Sequence, residues 1–146
     1  MAPLRSLLLH VLLPLTVGGL IYLLFRAPGL HVFGWMGALG FGPFVAWSQA
    51  WASGLGLAPP AWVLYTLPDA VFAYSATACM AVIWRGAPGL ARYAWMAAGA
   101  GLGLLVELAQ LAGAFPGTFD PLDMLSCCVA AVVALALTHQ PLESSP

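Results

Sequence analysis

The chain has no lysine, and Arg5, Arg26, Arg85 and Arg92 are its only fixed positive charges. Its acidic residues are Asp69, Glu107, Asp120, Asp123 and Glu143, so charged side chains make up 6% of the 146 residues. A soluble domain carries about 25%, and a chain this poor in charge cannot solvate a water-facing surface. A net charge of −1 with no basic cluster removes the electrostatic footing for nucleic-acid binding, so no nucleic-acid partner is expected. Cysteine is scarce as well. Cys79, Cys127 and Cys128 lie in apolar stretches, fit neither a disulfide framework nor a CxxC metal pattern, and read as small apolar core residues.

Hydrophobic residues take up the room that charge leaves: they form 62% of the chain, at a mean hydropathy of +0.96. Four apolar runs, at about 7–25, 62–84, 93–115 and 120–138, each come close to the roughly 20 residues needed to cross a hydrocarbon core. The first is longer than the roughly 7–15 residues of a secretory signal core, and no small-x-small cleavage site closes it, so it reads as a retained helix. The expected fold is an all-α polytopic membrane bundle of four transmembrane helices in one domain, 1–146, with the lipid bilayer as its surroundings. The stretch at about 32–51 is apolar and uncharged but carries Gly37, Gly40, Gly42 and Pro43 among Trp35, Trp47 and Trp51. Tryptophan favours the membrane interface, and Gly/Pro punctuation weakens a helix that lacks covering neighbours. It reads as a fifth, interfacial or re-entrant segment before it reads as a fifth span.

Two topologies satisfy the positive-inside rule equally. With four spans and the N-terminus inside, Arg5, Arg85 and Arg92 are cytoplasmic and Arg26 is outside. If 32–51 also crosses, an N-out chain puts Arg26, Arg85 and Arg92 inside and Arg5 outside. Both arrangements make the turn Arg85–Arg92 and the C-terminus cytoplasmic and the turn Pro116–Phe119 external.

That shared result gathers the acidic residues. Asp69 falls at the outer end of the second span, and Asp120 and Asp123 open the fourth. Glu107 lies about 8 residues below Phe115, roughly 12 Å at helical rise. With Gln110, which is i,i+3 to Glu107, these residues form a candidate polar binding cluster, and Arg26 is a possible counter-charge. Each carboxylate has a structural alternative. Asp120 before Pro121 reads as an N-cap with proline at N1, and Asp123 then occupies N3 of a capping box. Asp69 after Pro68 fits first-turn dipole chemistry. Glu107 is in mid-helix, where no cap is possible and where insertion scales put a charge at about 2.5–3.5 kcal/mol. Such a residue faces the bundle interior and has a partner or a task there. If a metal binds, Glu107, Asp120 and Asp123 would supply oxygen ligands of the kind that suit Mg²⁺ or Ca²⁺. No catalytic residue stands out. Gly99 and Gly103 form a GxxxG that suits close packing within the bundle.

The run Glu107-Leu-Ala-Gln110, then Gly117-Thr118-Phe119-Asp120-Pro-Leu-Asp123-Met-Leu, resembles the VanZ-like family of small bacterial membrane proteins. Its members carry E-x-x-Q on one span and D-x-x-D at the start of the last. Leu67-Pro68-Asp69 with Tyr74-Ser75 looks like the opening of the preceding span, so the resemblance covers roughly 67–137. The turn Pro116–Phe119 lacks the basic residue that many members have there, and Ser126 follows where they have Asn or a small residue. The resemblance implies a bacterial cytoplasmic (inner) membrane location, a role in the cell envelope and an association with glycopeptide tolerance.

Three functions follow as expectations. The first is a binding or accessory protein whose outer cluster engages an envelope lipid, a cationic group or another membrane protein. The second is a metal-dependent membrane enzyme acting on a lipid-linked substrate. The third is a proton- or cation-coupled carrier, since intramembrane carboxylates mark such paths.

Overall fold

The computed structural model describes residues 3–87, 89–114 and 118–138, and these are helices and short connections with no strand among them. Four helices are long and apolar enough to cross a membrane: α1 (Leu4–Phe25), α4 (Ala61–Ile83), α5 (Leu90–Leu111) and α6 (Pro121–Thr138). Two shorter ones, α2 (His31–Ala38) and α3 (Gly42–Gly54), lie between α1 and α4. The chain therefore has the four-helix core of a multi-pass membrane protein.

The 32–51 stretch is not one helix. Gly40 takes φ +86 between α2 and α3, a left-handed conformation in which glycine carries no steric penalty. At 8 and 13 residues each half is short of the roughly 20 that a crossing requires. Trp35, Trp47 and Trp51 are exposed, and α3 packs on α1. Ser48 and Ser53 turn their hydroxyls back onto carbonyls of their own helix.

Proline shapes both helices that flank this hairpin. In α1 the segment Leu8–Leu12 winds as a π-turn, and the Leu13 N–H reaches Leu8 O. Pro14 follows at once. It has no N–H to offer the His10 carbonyl, and its ring would crowd that carbonyl in a regular helix, so the wider turn relieves both. In α4, Pro60 is the N-cap, and its carbonyl accepts the Val63 and Leu64 N–H groups. Pro68 and Asp69 thus lie two turns inside α4 and not in its first turn, which corrects the dipole reading of Asp69.

α4 is the hub, touching α1, α5 and α6. Its buried face is made of small residues, with Ala73, Ser75, Thr77, Ala78 and Ala81 inside. Neighbours approach it through glycine. A Cβ on Gly18 of α1 would stand 2.7 Å from Val71 Cγ2, and one on Gly99 of α5 would stand 2.9 Å from the Ala76 carbonyl oxygen. A Cβ on Gly103 would meet Cys127 Sγ of α6 at 3.1 Å. The GxxxG of α5 therefore serves packing inside the bundle, as its spacing suggests. Val11, Ala78 and Ala134 close the core between α1, α4 and α6. Beside them Tyr74 Oη and His10 Nδ1 share a hydrogen bond of 2.6 Å.

Two boundaries differ from the sequence reading. α5 begins at Leu90, so Arg92 belongs to the helix and is 3% exposed, outside the loop expected at 85–92. The turn ends instead at Gly89, with φ +66. At its other end α5 stops at Leu111, with Gly113 at φ +68 two residues on. Phe115, the expected end of that span, and the turn residues Pro116 and Gly117 lie outside the described residues, as does the C-terminus with Glu143.

Candidate functional site

One end of the bundle does not close. Between the C-terminal turns of α1 and α5 and the N-terminal turns of α4 and α6 lies a cleft of about 980 Å³. The residues lining it repeat at helical spacing: Tyr22 and Arg26 on α1, Tyr65, Asp69 and Phe72 on α4, Gly103, Glu107 and Gln110 on α5, and Asp123 and Cys127 on α6. Residues three or four apart share one helix face, so each helix shows the cleft a single stripe.

The glycines explain why those stripes face inward. Gly99, Gly103 and Glu107 follow at steps of four along α5. The glycines fix that face against α4 and α6, and Glu107 one turn further meets the gap between them. Gly18 and Tyr22 repeat the pattern on α1, with Arg26 following at its C-cap, and Gly18 lies against Val71 and Pro68. At about 1.5 Å per residue, Glu107 is about 6 Å inside the end of α5 and Asp69 about 12 Å inside the start of α4.

At the floor, Asp69, Glu107 and Asp123 each bring a carboxylate oxygen to within 4.8 Å of the others. The three carboxylates that meet are therefore not quite the three named as conditional metal ligands from the sequence, Glu107, Asp120 and Asp123: Asp69 stands beside Glu107 and Asp123 in place of Asp120. The reason is local. Asp120 Oδ1 accepts the Leu122 N–H at 2.8 Å, the bond of a helix N-cap, with Pro121 at the first helical position. Asp120 lines the cleft, but its side chain is occupied at the helix start. Its own N–H donates to Glu107 Oε2 at 3.2 Å. Glu107 thus takes the bond that an N3 residue makes in a capping box, and Asp123 is left to face the cleft. Asp123 Oδ1 is sealed from solvent without a hydrogen-bond partner.

Glu107 is 5% exposed, as its cost in mid-helix requires. Of the six oxygens on Asp69, Glu107 and Asp123, Glu107 Oε2 alone accepts a hydrogen bond from the described residues. Three carboxylates this close in a membrane-embedded cleft need protons or a cation between them.

Arg26 lies in the same cleft without pairing to that floor. Its guanidinium sits over the rings of Tyr22 and Tyr65, 4.8 Å from each centroid. Its Nη1 donates to the Leu64 carbonyl at 3.2 Å. That carbonyl is the one Pro68 leaves unpaired, because residue 68 has no N–H to return to residue 64. Gln49 Nε2 of α3 holds the Arg26 carbonyl at 3.1 Å. The counter-charge expected at Arg26 is therefore clamped near the carboxylates by aromatic rings and a proline-freed carbonyl, and its remaining donors are unused among the described residues.

The sequence reading brings together Asp69, Glu107, Gln110, Asp120 and Asp123, and all five line the cleft with Arg26. It misses the aromatic wall, Tyr22, Trp62, Tyr65 and Phe72. The four-residue spacing of Tyr22 from Arg26 and of Tyr65 from Asp69 was the available signal. No protein-family model matches the chain, no curated protein matches its sequence, and no solved structure matches its fold.

Proposed function

We propose that the chain is a VanZ-like protein of the bacterial cytoplasmic membrane that binds an envelope lipid through the cleft, as a binding or accessory protein of the cell envelope. By the positive-inside rule the cleft belongs to the outer leaflet, opposite Arg85 and Arg92. The observation that carries the reading is the convergence of Asp69, Glu107 and Asp123, from three helices, at the floor of one cleft. Intramembrane carboxylates are costly and mark functional sites, and these have few protein partners to account for them.

The test is tolerance to a lipid-binding glycopeptide in cells producing wild type, Asp69→Asn, Glu107→Gln or Asp123→Asn, with membrane levels followed by immunoblot. Each variant is expected to insert at the wild-type level and to lose the tolerance that wild type confers. Normal insertion with full tolerance in all three would remove the cleft from the function. The runner-up is a metal-dependent enzyme acting on a lipid-linked substrate, favoured by the spacing of the same three carboxylates. It requires a thermal shift with Mg²⁺ or Ca²⁺ that Glu107→Gln abolishes.

A further inference from the structure

We infer that the ligand of this cleft is an aminophospholipid headgroup, a phosphodiester bearing a primary amine, entering sideways from the bilayer. The inference rests on the cleft being a lipid site and adds what the lipid must carry.

The floor calls for a donor-rich cation. Five of its six carboxylate oxygens receive no hydrogen bond from the described residues, and Glu107 is buried. A primary ammonium has three N–H donors. With N⁺–H···O⁻ contacts of about 2.8 Å along tetrahedral directions, it sets three acceptors about 4.6 Å apart. The three oxygens here all lie within 4.8 Å of one another, which admits that spacing.

Arg26 supplies the opposite preference in the same space. A guanidinium is a fork suited to phosphate oxygens. This one is held by Tyr22, Tyr65 and the Leu64 carbonyl and makes no hydrogen bond to the floor carboxylates. One cleft thus offers three acceptors for a cation and a pre-positioned donor for an anion, the complement of a zwitterion. The bilayer origin follows from the walls. Trp62, Tyr65, Phe72, Val106 and Leu122 line the cleft and are exposed large apolar or aromatic side chains. These exposed apolar walls give acyl chains a surface to lie against while the headgroup turns toward the carboxylates.

Native mass spectrometry of the full chain in detergent, titrated with dioleoyl phosphatidylethanolamine, phosphatidylglycerol or phosphatidylcholine, tests this. Wild type is expected to retain phosphatidylethanolamine about tenfold better than either of the others, the effect of one well-placed charged hydrogen bond. Glu107→Gln and Asp123→Asn should each erase the preference over phosphatidylglycerol. Arg26→Gln should weaken both phospholipids alike. Equal retention of the three lipids by wild type overturns the inference, whatever the variants do. So does retention of phosphatidylglycerol that needs Ca²⁺ or Mg²⁺ and disappears with a chelator, because the carboxylates then hold a metal. If both outcomes leave lipid retention sensitive to Glu107→Gln, the cleft is still a lipid site and only the headgroup assignment fails. Retention indifferent to every cleft variant overturns the lipid site as well.

Discussion

The two ends of the bundle are built on opposite rules. Along α4, Pro68 is the only buried residue in the first half, whereas Ala73, Ser75, Thr77, Ala78, Ala81 and Val82 are buried in the second. α6 divides the same way, with no buried residue before Cys127 and with Ala131, Ala134 and Thr138 buried beyond it. In the closed half small residues let backbones meet, as at Gly99 and Ala76, and Ser75 and Thr77 satisfy their hydroxyls on their own helix. In the open half the side chains are large or charged. The helices that meet in the closed half leave a cleft at the other end, walled by tyrosines, Arg26 and the carboxylates. A small membrane bundle can thus take its stability from one half and reserve the other for binding.

Substitutions at the two ends should separate these roles, and the largest effect is expected in the closed half. Gly99→Leu places a side chain against the Ala76 carbonyl, backbone that cannot turn aside. Overpacking of that kind costs about 1–3 kcal/mol, read as a clear fall in Tm in detergent. Thr66→Val on the cleft wall should stay within about 0.5 kcal/mol of wild type. An intermediate loss, about 1 kcal/mol, below that of Gly99→Leu, is expected for Asp120→Ala, which removes the cap from the Leu122 N–H. Because the Asp120 N–H remains to position Glu107, lipid retention should fall less in this variant than in Glu107→Gln. The smallest effect on stability belongs to the floor itself. Glu107→Gln and Asp123→Asn remove like charges from a crowded site, so their Tm should equal or exceed that of wild type. A marked drop in Tm for both would make the floor a structural element and erase the contrast between the two ends.

The architecture was largely written in the sequence, because length and apolarity alone mark a span. The runs at 7–25, 62–84, 93–115 and 120–138 anticipate α1, α4, α5 and α6 to within a few residues at most ends. Charge usually lies outside an apolar core, so the sequence places Arg92 in the turn, but α5 begins before it and buries it. The candidate site was legible as a set of residues and not as an arrangement. Asp69 and Asp120 both follow or precede a proline, and both looked like helix-end chemistry. The expected run already starts at about 62, and the helix starting at Ala61 after Pro60 leaves Asp69 two turns deep, while Asp120 is the cap. The clamp on Arg26 depends on a contact between α1 and the carbonyl that Pro68 frees, 38 residues further along the chain. No local pattern announces a bond of that kind.

The most direct test of the cleft as a lipid site is photocrosslinking in intact membranes, with a benzoylphenylalanine placed at Tyr65 in the open half or at Trp95 in the closed half, where it stacks on Trp84. The expected result is a phospholipid adduct from position 65 that falls sharply when Glu107→Gln is added, and an adduct from position 95 that does not change. Equal adducts at the two positions, indifferent to Glu107→Gln, would contradict the claim that the carboxylate cleft selects and holds a lipid.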